Sequence, residues 1–171
     1  SASQANIKLL IDAEESWMQG AADEICTDLM AKYNQKKVVV FNTLQCYRWD
    51  RLNYLKEEHK KALANGYKLG YKIVRGAYLE KENERAEAKG YKSPICATKT
   101  ATDTCFNEVL NYILNNLSEI ELFIGTHNEE STYLALDQMK EKKIAKNDSR
   151  VWFGQLYGMS DHITFNLAKL G

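Results

Sequence analysis

Five short apolar runs divide the chain: Ile7 to Ile11 (IKLLI), Val38 to Phe41 (VVVF), Tyr71 to Val74 (YKIV), Glu121 to Ile124 (ELFI) and Val151 to Phe153 (VWF). Each is rich in β-branched or aromatic residues and short enough for a buried strand. Between them the apolar positions switch to helical spacing. Residues 21–33 place Ile25, Leu29 and Met30 on one face, and residues 51–63 close with the stop signal Asn65-Gly66. Residues 103–114 begin at Asp103, read as an N-cap, and residues 131–140 begin with a serine or threonine cap. The runs recur at roughly the length of a βαβ unit, and their near-continuous apolar character suits parallel strands covered on both faces. Two α/β architectures satisfy this pattern. One is a five-stranded doubly wound sheet; the other is five of the eight units of a (β/α)8 barrel, which takes about 250 residues when complete. Periodicity does not choose between them. With a single proline (Pro94) and no low-complexity tract, residues 1–171 read as one domain.

Polar clusters follow the runs. They are Asp12-Ala13-Glu14-Glu15, Asn42-Thr43-Leu44-Gln45, Arg75-Gly76-Ala77-Tyr78 with Lys72 inside the third run, Thr126-His127-Asn128-Glu129, and Gln155-Leu156-Tyr157 after Gly154. In a parallel barrel these ends share one rim, where barrel enzymes keep their chemistry. Each cluster also has a structural reading: Asp12 and Glu15 as helix-start carboxylates, Arg75 with Glu80 as a rim ion pair, His127 as a hydrogen-bonded framework residue, Asn128 as a helix cap. The repetition over five strand ends favours a site.

Charge and motifs narrow the chemistry. Lys plus Arg and Asp plus Glu are equal at 23 each, which gives no global field for nucleic acid or an anionic surface. The basic run KEKKIAK (140–146) reads as a solvated helix end. Cys26, Cys46, Cys96 and Cys105 lack C-x-x-C spacing and nearby paired histidines, so the expectation is free thiols and no metal. No apolar stretch approaches a membrane span, and SASQANIKLL has neither a signal-peptide core nor an arginine-rich transit pattern. The dinucleotide, P-loop and nucleophile-elbow glycine motifs are absent.

At the strand ends the sequence resembles the proline dehydrogenases. The segments are Ile11 to Trp17 (IDAEESW), Phe41 to Tyr47 (FNTLQCY), Lys72 to Ala86 (KIVRGAYLEKENERA), Ser93 to Asp103 (SPICATKTATD), Gly125 to Glu129 (GTHNE) and Phe153 to Met159 (FGQLYGM). Their order, spacing and coverage of nearly the whole chain make the resemblance specific. The FNTLQCY and FGQLYGM wording is closer to the mitochondrial-type branch than to the large bifunctional bacterial enzymes.

The resemblance implies a TIM-barrel flavoenzyme that oxidises L-proline to Δ1-pyrroline-5-carboxylate by hydride transfer to FAD. Carried over residue by residue, Lys72, Asp12 and Tyr78 are the catalytic candidates. Ala13, Gln45, Lys72, Val74, Gly76, Thr126, His127, Asn128 and Gln155 are the cofactor candidates, with Lys72 or Arg75 as the cation that stabilises reduced flavin. Asp12, Tyr78 and Leu156 are the substrate candidates. A quinone or another acceptor would take the electrons. Nucleic acid is not expected; peripheral membrane contact and self-association are left open. The compartment would be mitochondrial in a eukaryote and cytoplasmic or membrane-peripheral in a bacterium. The family also carries a lysine on early strands that precede the DAEE motif and an arginine pair in a Y-x-x-R-R pattern on its last barrel helix, and the segments that would carry them are not in this sequence. Two other readings stand beside this one: a self-associating, catalytically incompetent barrel piece, and an unrelated barrel enzyme using Lys72 or Lys99 as a Schiff-base amine.

Overall fold

The computed structural model describes residue 5 and residues 7–171; residues 1–4 and 6, within the N-terminal stretch read above for a leader, lie outside the described residues. The chain runs β1 (Leu9–Ile11), α1 (Ser16–Tyr33), β2 (Val40–Gln45), α2 (Arg51–Asn65), β3 (Leu69–Val74), α3 (Leu79–Lys89), α4 (Lys99–Asn115), β4 (Ile120–Gly125), α5 (Glu129–Glu141), β5 (Val151–Gly154) and α6 (Asp161–Leu170). All four strand pairings are parallel, and the sheet order is simply β1-β2-β3-β4-β5. A doubly wound sheet reverses its strand order at a switch point. None occurs here, and the sheet curls into part of a barrel.

Alternation along each strand sends one set of side chains out to the helices and the other inward. The outward set (Val40, Leu44, Leu69, Tyr71, Ile73, Ile120, Leu122 and Ile124) is buried with the inner stripe of α4: Phe106, Val109, Leu110 and Ile113. The inward set is mixed in character, contrary to the two apolar faces expected from sequence. It forms rows across the sheet by register: Leu10, Phe41, Gly70 and Glu121; then Asp12, Thr43, Lys72, Phe123 and Trp152; then Gln45, Val74, Gly125 and Gly154. Below the first row Lys8 pairs with Glu121 at 2.5 Å and lies 5.2 Å from the ring centres of both Phe41 and Trp152. It fills the end of the sheet opposite the polar clusters.

The helix starts differ from the sequence reading, and each difference has a physical cause. The first helix begins at Ser16 rather than residue 21, because its end is capped by a residue 66 positions away. Thr98, not Asp103, caps α4, accepting from the Ala101 N–H at 3.0 Å. For α5 the serine or threonine cap gives way to the other reading, Asn128 as the cap, which accepts from the Ser131 N–H at 2.8 Å. The helix α3 had no counterpart in the sequence reading. Its sequence LEKENERAEAK buries only Glu82 and Ala86, so it carries no apolar stripe to recognise. The Asn65-Gly66 stop holds, with Gly66 at φ 72°. No helix among the described residues is long and apolar enough to cross a membrane.

Candidate active site

The second inward row makes the densest polar group on the concave face. The Lys72 ammonium donates to both carboxylate oxygens of Asp12, each at 2.9 Å, and the Thr43 hydroxyl donates to Asp12 Oδ1 at 2.6 Å. Burial pushes the Asp12 carboxyl up, but the hydrogen bonds from Thr43 and Lys72 and the lysine charge outweigh it and hold the group below the ordinary aspartate range. Alternation puts Lys72 on the inner face while its neighbours Tyr71 and Ile73 pack outward. Thr43, which no sequence role anticipated, was legible only as the residue two places before Gln45 on the same strand face.

Asn42 to Gln45 lie within β2, not beyond it, so their roles split by face. Asn42 points outward, its amide donating to Asp23 at 2.8 Å. Gln45 points inward, and its Nε2 donates to the carbonyls of Ala13 at 2.6 Å and Glu14 at 2.9 Å. The strand thus pins the loop that carries Asp12 and Ala13 through the Gln45 amide nitrogen. Val74 shares the third row with Gly125 and Gly154, a stretch floored by small residues directly above Lys72. Gly76 is required by its neighbour: at φ 112° it is in the glycine-favoured region, and a Cβ there would meet the Tyr47 ring at 2.5 Å. Tyr78 follows at the start of α3, half-buried, with burial and the nearby Glu14 raising its phenol.

Arg75 is on the outward side, away from the row of Lys72. Its three nitrogens donate to Asp103 at 2.8 Å, Thr126 Oγ1 at 3.0 Å and Ser131 Oγ at 2.9 Å, and its guanidinium stacks 4.5 Å from the Phe106 ring centre. The Arg75–Glu80 pair anticipated from sequence is replaced by Arg75–Asp103, since Arg75 turns toward α4 rather than α3. Arg75 therefore ties β3, α4 and the β4 exit together, which leaves Lys72 as the cation of the inner face at this level.

The β4 exit divides its work. Thr126 accepts from Arg75 and from the Asn128 N–H, and Asn128 caps α5, so its carboxamide oxygen is engaged. His127 Nδ1 is buried and has no partner. Gln155 donates to the Thr126 carbonyl at 3.2 Å and accepts from the Thr164 hydroxyl at 2.9 Å, joining the fifth strand end to the fourth. Leu156 is 66% exposed beside it. Asp12, Ala13, Gln45, Lys72 and Val74 are thereby brought together on one concave surface, with Tyr78 near Glu14 of the same loop. Thr126, Asn128 and Gln155 form a connected framework at its side. Among the described residues no group of His, Cys, Asp and Glu side chains would hold a metal ion, and the four cysteines are free.

Comparison with known proteins gives a consistent result. The proline dehydrogenase family matches residues 1–171. The human mitochondrial proline dehydrogenase 1 is 36% identical, over 99% of this chain and 29% of its own length. The carbapenem antibiotics biosynthesis protein CarD of Pectobacterium carotovorum is 39% identical, over 96% of this chain and 42% of its own. Among solved structures, proline utilization A from Bdellovibrio bacteriovorus, inactivated by N-propargylglycine, superposes with a TM-score of 0.89 at 22% identity, over 97% of this chain and 17% of that one. That likeness gives the fold. The chain spans less than half the length of these curated relatives.

Proposed function

The chain belongs to the proline dehydrogenase family, and from that premise we propose that its concave rim serves the oxidation of L-proline to Δ1-pyrroline-5-carboxylate, the first step of proline catabolism, with FAD as the bound cofactor. The observation that carries this reading is the Asp12–Thr43–Lys72 group, a fixed cation directly below the small-residue row of Val74, Gly125 and Gly154 at the strand ends. The donor set suits a flavin: a lysine for negative charge, the carboxamide oxygen of Gln45 for a ring N–H, and the orphaned buried Nδ1 of His127 for a polar group that the protein itself does not supply.

A bound flavin supplies the two-electron acceptor for the hydride leaving the substrate ring. What the chain's own residues do follows from their placement. Lys72 holds a positive charge where negative charge accumulates during the reaction, and its cost of orientation is already met by Asp12. Thr43 keeps Asp12 facing Lys72. Gln45 sets the height of the Asp12-Ala13 loop by gripping its carbonyls. Tyr78 and the exposed Leu156 are assigned as walls that orient the substrate ring and exclude water. Thr126, Asn128, Val74, Gly76 and Gln155 shape the cofactor edge. A quinone or another acceptor removes the electrons, and in a eukaryotic host the compartment is that of the human and Drosophila relatives, named mitochondrial.

The test is chemical. Flavin-loaded protein with an artificial electron acceptor and L-proline is expected to yield a cyclic imine that o-aminobenzaldehyde traps as a coloured adduct, with D-proline giving none. Acceptor reduction without that adduct would overturn the reading.

A further inference from the structure

Four consecutive residues after β1 each meet one residue at the start of α3. Glu14 lies close enough to the Tyr78 phenol to raise it, and Glu15 is ion-paired with Lys81. Ser16 donates its backbone N–H and its hydroxyl to the two oxygens of Glu82, both at 2.6 Å. Arg85 lies with its guanidinium carbon 4.1 Å from the Trp17 ring centre. Residues 78, 81, 82 and 85 share one helical face, so the ladder is a consequence of periodicity once α3 exists.

Its central rung is unusual. Glu82 is 0% exposed, an expensive place for a carboxylate unless it is fully hydrogen-bonded. Both oxygens are spent on Ser16, the first residue of α1, whose own preceding residue Glu15 makes no side-chain cap. The Glu82 carboxylate is therefore the N-cap of α1, delivered from another helix, with the favourable sign for a helix start. The segment it holds is the one Gln45 grips from the strand below, through Ala13 and Glu14. On either side lie Asp12 and Tyr78.

We propose that Glu82 is a positioning residue: through Ser16 it fixes the spacing between the loop that carries Asp12 and the turn that carries Tyr78. This rests on the assignment of those two residues to the proline site. Tyr78 is assigned as a wall of the substrate pocket, so a shift in that spacing falls first on substrate binding. Glu82→Ala removes both bonds. Glu82→Gln keeps two, since its carboxamide oxygen accepts from the Ser16 N–H while its nitrogen donates to the Ser16 hydroxyl.

The experiment measures L-proline kinetics per bound flavin for Glu82→Ala, Glu82→Gln and Tyr78→Ala with each, together with Trp17 fluorescence in a Trp49→Phe, Trp152→Phe background. Expected for Glu82→Ala are a rise in KM of about tenfold or more with a smaller change in kcat, a shifted Trp17 emission, recovery of both in Glu82→Gln, and no further KM loss when Tyr78→Ala is already present. A merely structural carboxylate would change thermal stability and leave KM alone, and that outcome would overturn the proposal. So would a Glu82→Gln variant as impaired as Glu82→Ala, or an unmoved Trp17 signal. If the unsubstituted protein does not oxidise proline, the functional reading fails, while the fluorescence still decides whether Glu82 holds the ladder together.

Discussion

Replacing Lys72 with alanine is expected to slow proline-dependent flavin reduction by about 10²–10³-fold, the range for removing one preorganised stabilising group from an active site. Lys72 is the cation of the second inward row, its side chain 23% exposed and held by two 2.9 Å bonds to Asp12. Charge that appears only as the reaction proceeds is stabilised only in the transition state, so the loss falls on the rate constant and leaves substrate affinity nearly unchanged. The fold has little reason to suffer, because the Asp12 side chain is 53% exposed and water can replace its partner. With Lys72 gone the Asp12 carboxyl returns toward its ordinary range, since the lysine is among the groups holding it down. Stopped-flow measurement of flavin bleaching separates the two effects. An unchanged limiting rate removes Lys72 from the mechanism.

Arg51→Met is expected to give the largest loss of stability, about 3–5 kcal/mol, the cost of removing one partner from a buried charge group. The Arg51 side chain is 6% exposed and forks onto Asp50 at 2.9 and 2.6 Å while reaching Asp23 at 3.1 Å. Asp23 also accepts from Gln19 and Asn42 at 2.8 Å each, so it ties α1, β2 and α2 into one buried cluster. Without Arg51 it keeps two neutral donors and loses its cation. Burial pushes the Asp50 carboxyl up, but Arg51 and Arg48 outweigh it and hold it below its ordinary value. A lowered folded value means that this contribution is full above the unfolded aspartate range and is lost as pH falls through the folded one. Arg51→Met should therefore flatten the acid limb of the stability curve as well as lower its plateau. Urea denaturation at several pH values checks both, with the exposed Lys60–Glu57 pair as a control whose removal changes nothing measurable. A plateau loss below about 1 kcal/mol would show that the cluster relaxes or hydrates instead.

The strands and four of the six helices were legible because apolar side chains repeat at the strand and helix periods. What periodicity could not read was topology: near-continuous apolar runs suit a doubly wound sheet and a barrel alike, and only the sequential strand order separates them. The α3 helix escaped because it packs through a buried glutamate rather than an apolar stripe. Helix starts were missed for a related reason, since the caps of α1 and α4 come from Glu82 and Thr98, one of them distant in sequence. The site was legible as a set of polar strand ends, and the family resemblance proposed roles for them. Which side chains face inward was not. Arg75 and Lys72 are three residues apart in one polar cluster, yet alternation sends one to the helices and the other to the concave face. Thr43 and Glu82 carry no motif of their own, and each acts through a partner far along the chain.

The central claim is that the concave rim around Lys72 oxidises L-proline with a flavin. Its most direct test is the visible absorbance of flavin-loaded protein when L-proline is added without oxygen. The account predicts full bleaching of the oxidised flavin band, reversed by a quinone, with the Lys72→Ala protein retaining its flavin but bleaching far more slowly. A protein that holds FAD and stays oxidised in excess L-proline would contradict it.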